Sequence, residues 1–306
     1  MNPVVELNQV TKHRGDFTLG PIQLALESGM ITAVLGPNGS GKTTLFRMMM
    51  NLIYPDQGTL RLFGAEVTQE RELEVKGKIG FVGDTLVPLD EKMTVGEWKQ
   101  FVAGWYPSWD EKLWQRLAER LEIQPKKRIK ELSTGMHKRV AFALALSFHP
   151  ELLLLDEPSS GLDPFAWRIM MDEIQTFMQK GDRTAIIATH MMEEVRRLAD
   201  LIVFMYDGRI VGIYEKDRLL EDWKTMWVRA SADVLQGAAG VVFAEAGHDG
   251  VTRLITNDAK ATEAELRNRN LSLVERKAVE LEDILWHLME IDKKNAVNGV
   301  GSNARA

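Results

Sequence analysis

Residues 31–43 read Ile-Thr-Ala-Val-Leu-Gly-Pro-Asn-Gly-Ser-Gly-Lys-Thr, a short apolar run followed at once by a glycine-rich loop. The run predicts a buried strand, and apolar residues at spacings of three and four predict a helix from about residue 42. Residues 36–43 match the pattern G-x-x-x-x-G-K-[ST], in which glycines let successive backbone N–H groups point at one anion. The N-terminus of the following helix adds partial positive charge. The stretch therefore predicts a phosphate-binding loop.

The loop assigns roles to particular side chains. We expect Lys42 to reach the β- and γ-phosphates of a nucleoside triphosphate, and the hydroxyl of Thr43 to bind Mg²⁺. The predicted nucleotide-binding residues of the loop are Gly36, Pro37, Asn38, Gly39, Ser40, Gly41, Lys42, Thr43 and Thr44.

The composition is that of an ordinary globular protein. The chain has 306 residues, 45% hydrophobic and 27% charged, with a net charge of −6 and no cysteine. The acidic balance argues against a general nucleic-acid binder, and the lack of cysteine excludes disulfides and thiolate metal sites. The N-terminus shows no signal-peptide pattern, and no apolar run approaches the roughly 20 residues that span a bilayer. We expect a soluble, cytoplasmic protein.

Patterns of strands and helices suggest three regions. Residues 1–220 form one large domain: short strands come first, a mostly helical subdomain occupies about 86–150, and βαβ alternation follows. In the last part, Leu152–Leu155 and Thr184–Ala188 are short continuous apolar runs, typical of parallel strands covered on both faces. We expect a small accessory α+β domain at 221–291 and a disordered polar tail at 292–306.

The strand at Leu152–Leu155 ends in two carboxylates, Asp156 and Glu157. In enzymes with a phosphate-binding loop, an acidic residue at such a strand end holds Mg²⁺. An adjacent carboxylate can accept a proton from the attacking water. We therefore predict Asp156 as a metal ligand and Glu157 as a general base.

Three further motifs carry a resemblance to a known family. Residues 132–139, Leu-Ser-Thr-Gly-Met-His-Lys-Arg, resemble the signature sequence of ABC ATPases. Residues 160–163, Ser-Gly-Leu-Asp, resemble the D-loop of the family, and Thr189-His190 resembles its switch histidine. The resemblance covers about residues 1–220. It implies an ABC-type α/β fold of the P-loop NTPase class, with a mixed sheet core, an N-terminal antiparallel β part and a helical subdomain.

The resemblance also implies partners and residue roles. Two ATPase subunits, alike or different, would sandwich ATP head to tail, and a separate membrane permease would hold them at the inner face of the membrane. His190 would contact the γ-phosphate, and Asp163 would carry signals between subunits. ATP bound to one subunit would face the signature residues of the other, which are Ser133, Thr134, Gly135 and Met136.

The sequence departs from the family pattern in three places. Where the family has an aromatic residue that stacks on adenine, this chain has Arg14, and Phe17 is a nearby alternative. Asp84 replaces a glutamine; it is predicted either to bind Mg²⁺ or to cap the turn that follows it. Thr134 and Met136 differ from the commonest signature and resemble the bacterial subgroup that pairs with ABC-2-type permeases.

An aromatic segment in the helical subdomain has two interpretations. Trp98, Phe101 and Trp105 share one face of a predicted helix, which favours a place in the core. The alternative is a docking surface for a membrane partner, centred on the residues around 107–110.

Two other functions compete with transport. ABC-type ATPases that act on ribosomes or DNA usually carry two nucleotide modules or a long coiled coil, whereas this chain has one phosphate-binding loop and no sustained heptads. A regulatory protein that hydrolyses little ATP would not need both Glu157 and His190. The sequence leaves the transported substrate and the direction of transport open.

Overall fold

The computed structural model describes residues 3–68, 71–83 and 92–297. The chain forms two compact units, and the division between Ile210 and Val211 falls inside a strand. The strands of the first unit are β1 (Val5–Arg14), β2 (Phe17–Leu26), β3 (Ile31–Leu35), β4 (Gln57–Leu62), β5 (Ala65–Glu66), β6 (Ile79–Val82), β7 (Leu152–Asp156), β8 (Thr184–Thr189), β9 (Leu201–Tyr206) and β10 (Arg209–Glu215), the last of which crosses the division. Its helices are α1 (Lys42–Met49), α2 (Glu72–Lys76), α3 (Val95–Ala103), α4 (Glu111–Arg120), α5 (Thr134–Ser147), α6 (Pro164–Met178) and α7 (Met192–Leu198).

Two sheets build the first unit. An antiparallel sheet has the order β2-β1-β4-β5, and a six-stranded sheet has the order β10-β9-β3-β8-β7-β6. Within the second sheet, β9, β3, β8, β7 and β6 run parallel. All residues of β3 and β8 are buried, as expected for central parallel strands covered by helices on both faces.

The six-stranded sheet positions the site because parallel strands end at one edge. β3, β7 and β8 lie next to one another. β3 leads into the phosphate-binding loop after Leu35, β7 ends at the Asp156-Glu157 pair, and β8 is followed by His190. The predicted β7–α6–β8 alternation and the mixed-sheet ABC fold are confirmed.

Helices α4, α5 and α6 pack on the sheet through one apolar core. Leu117, Phe142, Leu153, Ile174 and Ile187 are fully buried members of it. Trp98 packs against this core, but Trp105 is 66% exposed, so the core interpretation was wrong for Trp105. The reason is that α3 ends at Ala103, before the predicted helical face reaches Trp105.

The second unit is an α+β structure with its own sheet and core. Its elements are α8 (Lys216–Asp222), β11 (Lys224–Arg229), α9 (Ala232–Leu235), β12 (Val241–Ala246), β13 (Val251–Thr256), α10 (Ala259–Asn268), β14 (Ser272–Ala278) and α11 (Leu281–Val297). The four-stranded antiparallel sheet has the order β12-β13-β11-β14. Met226, Leu254 and Leu266 are buried in the core of this unit.

Two predicted boundaries differ from the structure. The boundary at residue 220 cuts through α8, a helix that buries Leu219 in the second unit. We predicted a disordered tail from residue 292, but α11 continues as far as Val297. In this part of the helix, Lys293 pairs with Glu290 at 2.9 Å, three residues earlier on the same face. Residues 298–306 lie outside the described part.

A bilayer crossing needs a long apolar helix, and among residues 3–68, 71–83 and 92–297 no helix meets that requirement.

Candidate active site

The phosphate-binding loop joins β3 to α1 through backbone conformations that favour glycine. Gly39 and Gly41 have φ values of 82° and 104°, in the left-handed region. Gly36 is required for another reason: a Cβ there would lie 2.1 Å from the carbonyl oxygen of Met205 on β9. Ser40 is buried, and its carbonyl oxygen accepts a hydrogen bond from Gly208 N at 3.2 Å. The loop that follows β3 therefore packs closely against β9 and the β9–β10 turn.

Lys42 brings a cation to the floor of this loop. Its side chain is buried, and Nζ donates to the carbonyl oxygens of Gly36 at 2.8 Å and Pro37 at 3.2 Å. Burial lowers the pKa of Lys42, an effect that the carboxylates of Glu157 and Asp156 partly offset. Carbonyl oxygens are weak partners for an ammonium group, so Lys42 retains the capacity to bind a stronger anion such as a phosphate.

Thr43 and Asp156 place two hard oxygen atoms side by side. The Thr43 hydroxyl donates to Oδ1 of Asp156 over 3.5 Å. A hydroxyl and a carboxylate beside a phosphate-binding loop suit Mg²⁺, which binds proteins through one or two such groups and completes its shell with water and phosphate oxygens. The residues present therefore fit this ion. Asp84, the third predicted ligand, lies outside the described residues.

Glu157 adopts a rare backbone conformation directly after Asp156. Its φ is 48°, in the left-handed region that side chains disfavour. Its N–H donates to the carbonyl oxygen of Ala188 at 2.8 Å, and its own carbonyl oxygen accepts from Nζ of Lys138. These bonds hold the residue so that its carboxylate projects toward the loop.

The Glu157 carboxylate lies between two cation-forming side chains. Oε1 is 3.7 Å from Nζ of Lys42, and Oε2 is 2.7 Å from Nδ1 of His190, which follows β8. His190 is half exposed. Residues that follow three adjacent strands thus converge on one point.

An open cleft of about 670 Å³ lies over this constellation. Both residues predicted as alternatives for adenine stacking, Arg14 and Phe17, are on its wall. The Phe17 ring lies close to the loop, since its Cζ would be 3.2 Å from a Cβ at Gly41. The cleft is lined by Arg14, Phe17, Asn38, Gly39, Gly41, Lys42, Thr43, Thr44 and Glu157.

The signature residues stand at the start of α5 rather than on this cleft wall. Ser133 caps the helix, and its hydroxyl accepts a hydrogen bond from Met136 N at 3.3 Å. Thr134 is exposed, whereas Gly135 packs so closely on the D-loop that a Cβ would lie 2.3 Å from the carbonyl oxygen of Gly161. Ser133 and Thr134 are thus exposed at the start of α5, where a helix N-terminus favours an anion.

The D-loop ends at Asp163, which caps α6. Oδ1 accepts hydrogen bonds from the N–H groups of Phe165 and Ala166, both at 3.0 Å, and Oδ2 pairs with Arg139 of α5. The bond from Ala166 N is the main cause that lowers the pKa of Asp163, and Arg139 adds to it. Asp163 therefore connects the D-loop to the signature helix.

The sequence did not reveal the importance of two residues of this region, Lys138 and Glu194. Lys138 is fully buried although it is a lysine, and Glu194 on α7 is only 2% exposed. The available signal for Lys138 was its place, next to Arg139, directly before the apolar run 140–146, and the signal for Glu194 was its spacing of four from His190. Neither pattern separates a buried charge from a solvated one.

Comparison with known proteins agrees with the geometry. The family model described as ABC transporter matches residues 19–160. The chain is 30% identical over 236 residues to ABC transporter ATP-binding protein YtrB of Bacillus subtilis (strain 168). The aligned residues cover 76% of this chain and 78% of that relative. It is 33% identical to Nod factor export ATP-binding protein I of Burkholderia lata over 71% of this chain and 72% of that one.

A solved structure gives the same result. CbiO1 from Clostridium perfringens, part of the ABC transporter complex cbiONQ, superposes with a TM-score of 0.60 at 26% identity, over 72% of this chain and 92% of that chain. A phosphate-binding loop, an acidic strand end, a signature helix and a D-loop in this order, together with relatives of this similarity, identify the chain as a member of the ABC transporter ATP-binding proteins, a family of transport ATPases.

Proposed function

We propose that this chain powers a separate membrane permease, and that two ATPase subunits close around ATP to drive it. The observation that supports this most strongly is the position of Glu157, 3.7 Å from Lys42 and 2.7 Å from His190 at the mouth of the phosphate-binding cleft. A carboxylate held between a phosphate-binding lysine and a histidine suits ATP hydrolysis better than binding alone.

In the proposed complex, the loop binds the phosphates of ATP. The N–H groups of residues 38–43 and the start of α1 favour an anion, and Lys42 contacts the β- and γ-phosphates. The base stacks on Phe17 or on the guanidinium of Arg14, since both line the cleft. A planar cation and an aromatic ring are both able to cover a base.

Thr43 and Asp156 would hold Mg²⁺, which supplies charge neutralisation to the phosphate oxygens when bound. Asp84 stays a prediction as a further ligand. The proposal for Thr43 and Asp156 rests on their 3.5 Å separation at the foot of the loop.

Glu157 would act as the general base. Its carboxylate accepts a proton from the attacking water, and His190 contacts the γ-phosphate. Nδ1 of His190 lies 2.7 Å from Oε2 of Glu157, which leaves Nε2 as the ring nitrogen that would reach a phosphate oxygen.

The signature and the D-loop would complete the site of a second subunit. Ser133 and the N-terminus of α5 would face the γ-phosphate of ATP bound to the partner, and Thr134, Gly135 and Met136 would surround that contact. Asp163, fixed to Arg139, would report the state of one site to the other. Hydrolysis removes the shared anion and weakens this contact.

Thr134 and Met136 support membership of the subgroup that serves ABC-2-type permeases. The subunit would then sit at the inner face of the membrane through its permease. The proposal names no substrate.

Copurification from native membranes tests the proposal. A tagged Glu157→Gln chain, solubilised in Mg·ATP, should retain a polytopic membrane protein, and the Lys42→Ala chain should retain less of it because ATP no longer holds the assembly. Mass spectrometry identifies the partners. Recovery of ribosomal proteins or DNA without a membrane protein would contradict transport and support the rival function.

A further inference from the structure

Lys138 is a buried cation on the signature helix. It lies on α5, five residues after the capping Ser133, and its side chain is fully buried. Lysine is almost never fully buried unless it has a partner. Its Nζ donates to the main-chain carbonyl oxygen of Glu157. One partner of Lys138 is thus the backbone of the proposed general base.

The backbone at Glu157 needs such support. A φ of 48° is disfavoured for a residue with a side chain, and such conformations persist only where neighbouring contacts hold them. Three hydrogen bonds meet there: Glu157 N donates to Ala188 O at 2.8 Å, while Ser160 N at 3.2 Å and Lys138 Nζ donate to Glu157 O. Only the Lys138 bond comes from a charged donor, which makes it the strongest type among the three.

The direction of the Glu157 carboxylate depends on that backbone. Oε2 lies 2.7 Å from His190, and Oε1 lies 3.7 Å from Lys42. If φ relaxed to negative values, the Cα–Cβ bond would turn and carry the carboxylate away from both partners. Catalytic groups lose much of their effect when they move by about 1 Å.

We propose that Lys138 is a positioning residue that fixes Glu157 in its reactive direction and joins the base to the signature helix. It does not touch the nucleotide. The inference rests on the proposed role of Glu157 as general base. Since Ser133 begins the same helix and faces the partner's ATP in the proposed dimer, a shift of α5 would reach the base through Lys138.

Three variants test the proposal. Lys138→Met keeps the length of the side chain and removes the donor, Lys138→Gln keeps an N–H donor, and Lys130→Met is a matched control at an exposed lysine just before the signature. We expect Lys138→Met to lower kcat about 10- to 100-fold with KM and ATP affinity within about twofold of wild type. Its melting temperature should not fall, because methionine suits a buried site. Lys138→Gln should recover part of the loss, and Lys130→Met should behave as wild type.

A crystal structure of Lys138→Met gives a readout independent of turnover. We expect φ of Glu157 to become negative and the contact with His190 to lengthen beyond its 2.7 Å. An unchanged Glu157 conformation, an unchanged kcat, a Gln variant no better than Met, or a Met variant that fails to fold would overturn the proposal. Absence of hydrolysis in the wild-type chain with its permease would instead count against the proposed function.

Discussion

At the scale of single residues, the site depends on charges placed where water is scarce. Lys42 is buried and donates to the carbonyl oxygens of Gly36 and Pro37, with Glu157 at 3.7 Å. A buried ammonium group is costly unless it has strong partners. Phosphate oxygens would supply them, which ties the affinity for ATP to this one side chain.

Replacement of Lys42 by alanine should therefore weaken Mg·ATP binding by about 100-fold or more, because the contact with the β- and γ-phosphates is lost. Isothermal titration calorimetry measures the change. Lys130→Ala, at an exposed position, serves as the control. Equal affinities for Lys42→Ala and wild type would show that residues 36–43 do not bind the phosphates.

Glu194 is an acidic side chain that is as deeply buried as Lys42. Burial raises the pKa of its carboxyl, and the nearby Ser159 and Thr189 offset this only in part. The folded state therefore holds the proton to higher pH than the unfolded state does. The contribution of this group to stability is complete below its ordinary value of 4.5 and is lost as the pH rises through the raised pKa.

Glu194→Gln should abolish this loss, because an amide stays neutral at every pH. We expect the melting temperature of the variant, relative to that of wild type, to rise as the pH increases over the range above 4.5. Glu193→Gln is the matched control, since Glu193 is the exposed neighbour on α7. A constant difference between Glu194→Gln and wild type across this range would refute the expectation.

At the scale of elements, sequence patterns worked where one periodicity dominates. The runs at 152–155 and 184–188 predicted β7 and β8 closely because both are buried on two faces and uninterrupted. Thr94 and Ser133 stand directly before α3 and α5, and the side chain of each accepts an N–H of the following helix as a cap. β14 was missed: Ser272–Ala278 is an edge strand with every residue exposed, so no apolar alternation marks it.

One charged contact joins two helices of the first unit. Arg116 on α4 binds the carboxylate of Glu173 on α6 with both guanidinium nitrogens, at 2.6 and 2.8 Å. Glu173 is 2% exposed, and Arg120 also contacts it. The sequence predicted helical structure in both regions, but the pairing of residues 57 positions apart depends on tertiary packing.

Arg116→Met should destabilise the fold by about 2 kcal/mol, because two hydrogen bonds to a buried carboxylate are lost. Urea denaturation measures the free energy of unfolding. Lys112→Met, an exposed cation on the same helix, provides the comparison. If the two variants agree within about 0.5 kcal/mol, the Arg116–Glu173 pair is not a significant stabiliser.

At the scale of the molecule, three parallel strand ends bring together residues that are far apart in the chain. The sequence predicted Lys42, Asp156, Glu157 and His190 individually, and the order of the strands places them at one edge. The unusual φ of Glu157 and the Lys138 contact could not be predicted, because both depend on how α5 packs against the end of β7. Local periodicity carries no information about such packing.

The same constellation makes the subunit both an enzyme and half of a proposed dimer. With glutamine at position 157, the chain should still bind Mg·ATP but fail to remove the proton from the attacking water. ATP would then persist between two subunits, and the dimer would be stable instead of transient. Lys42→Ala, which loses the phosphates, should stay monomeric.

The most direct test is single-turnover hydrolysis of radiolabelled ATP by wild type and Glu157→Gln at saturating enzyme. We predict that the variant binds ATP as tightly as wild type while the rate of γ-phosphate cleavage falls by about 100-fold or more. Cleavage by Glu157→Gln at the wild-type rate would contradict the central claim. That claim is that Glu157, held between Lys42 and His190, is the general base that takes a proton from the water that attacks ATP.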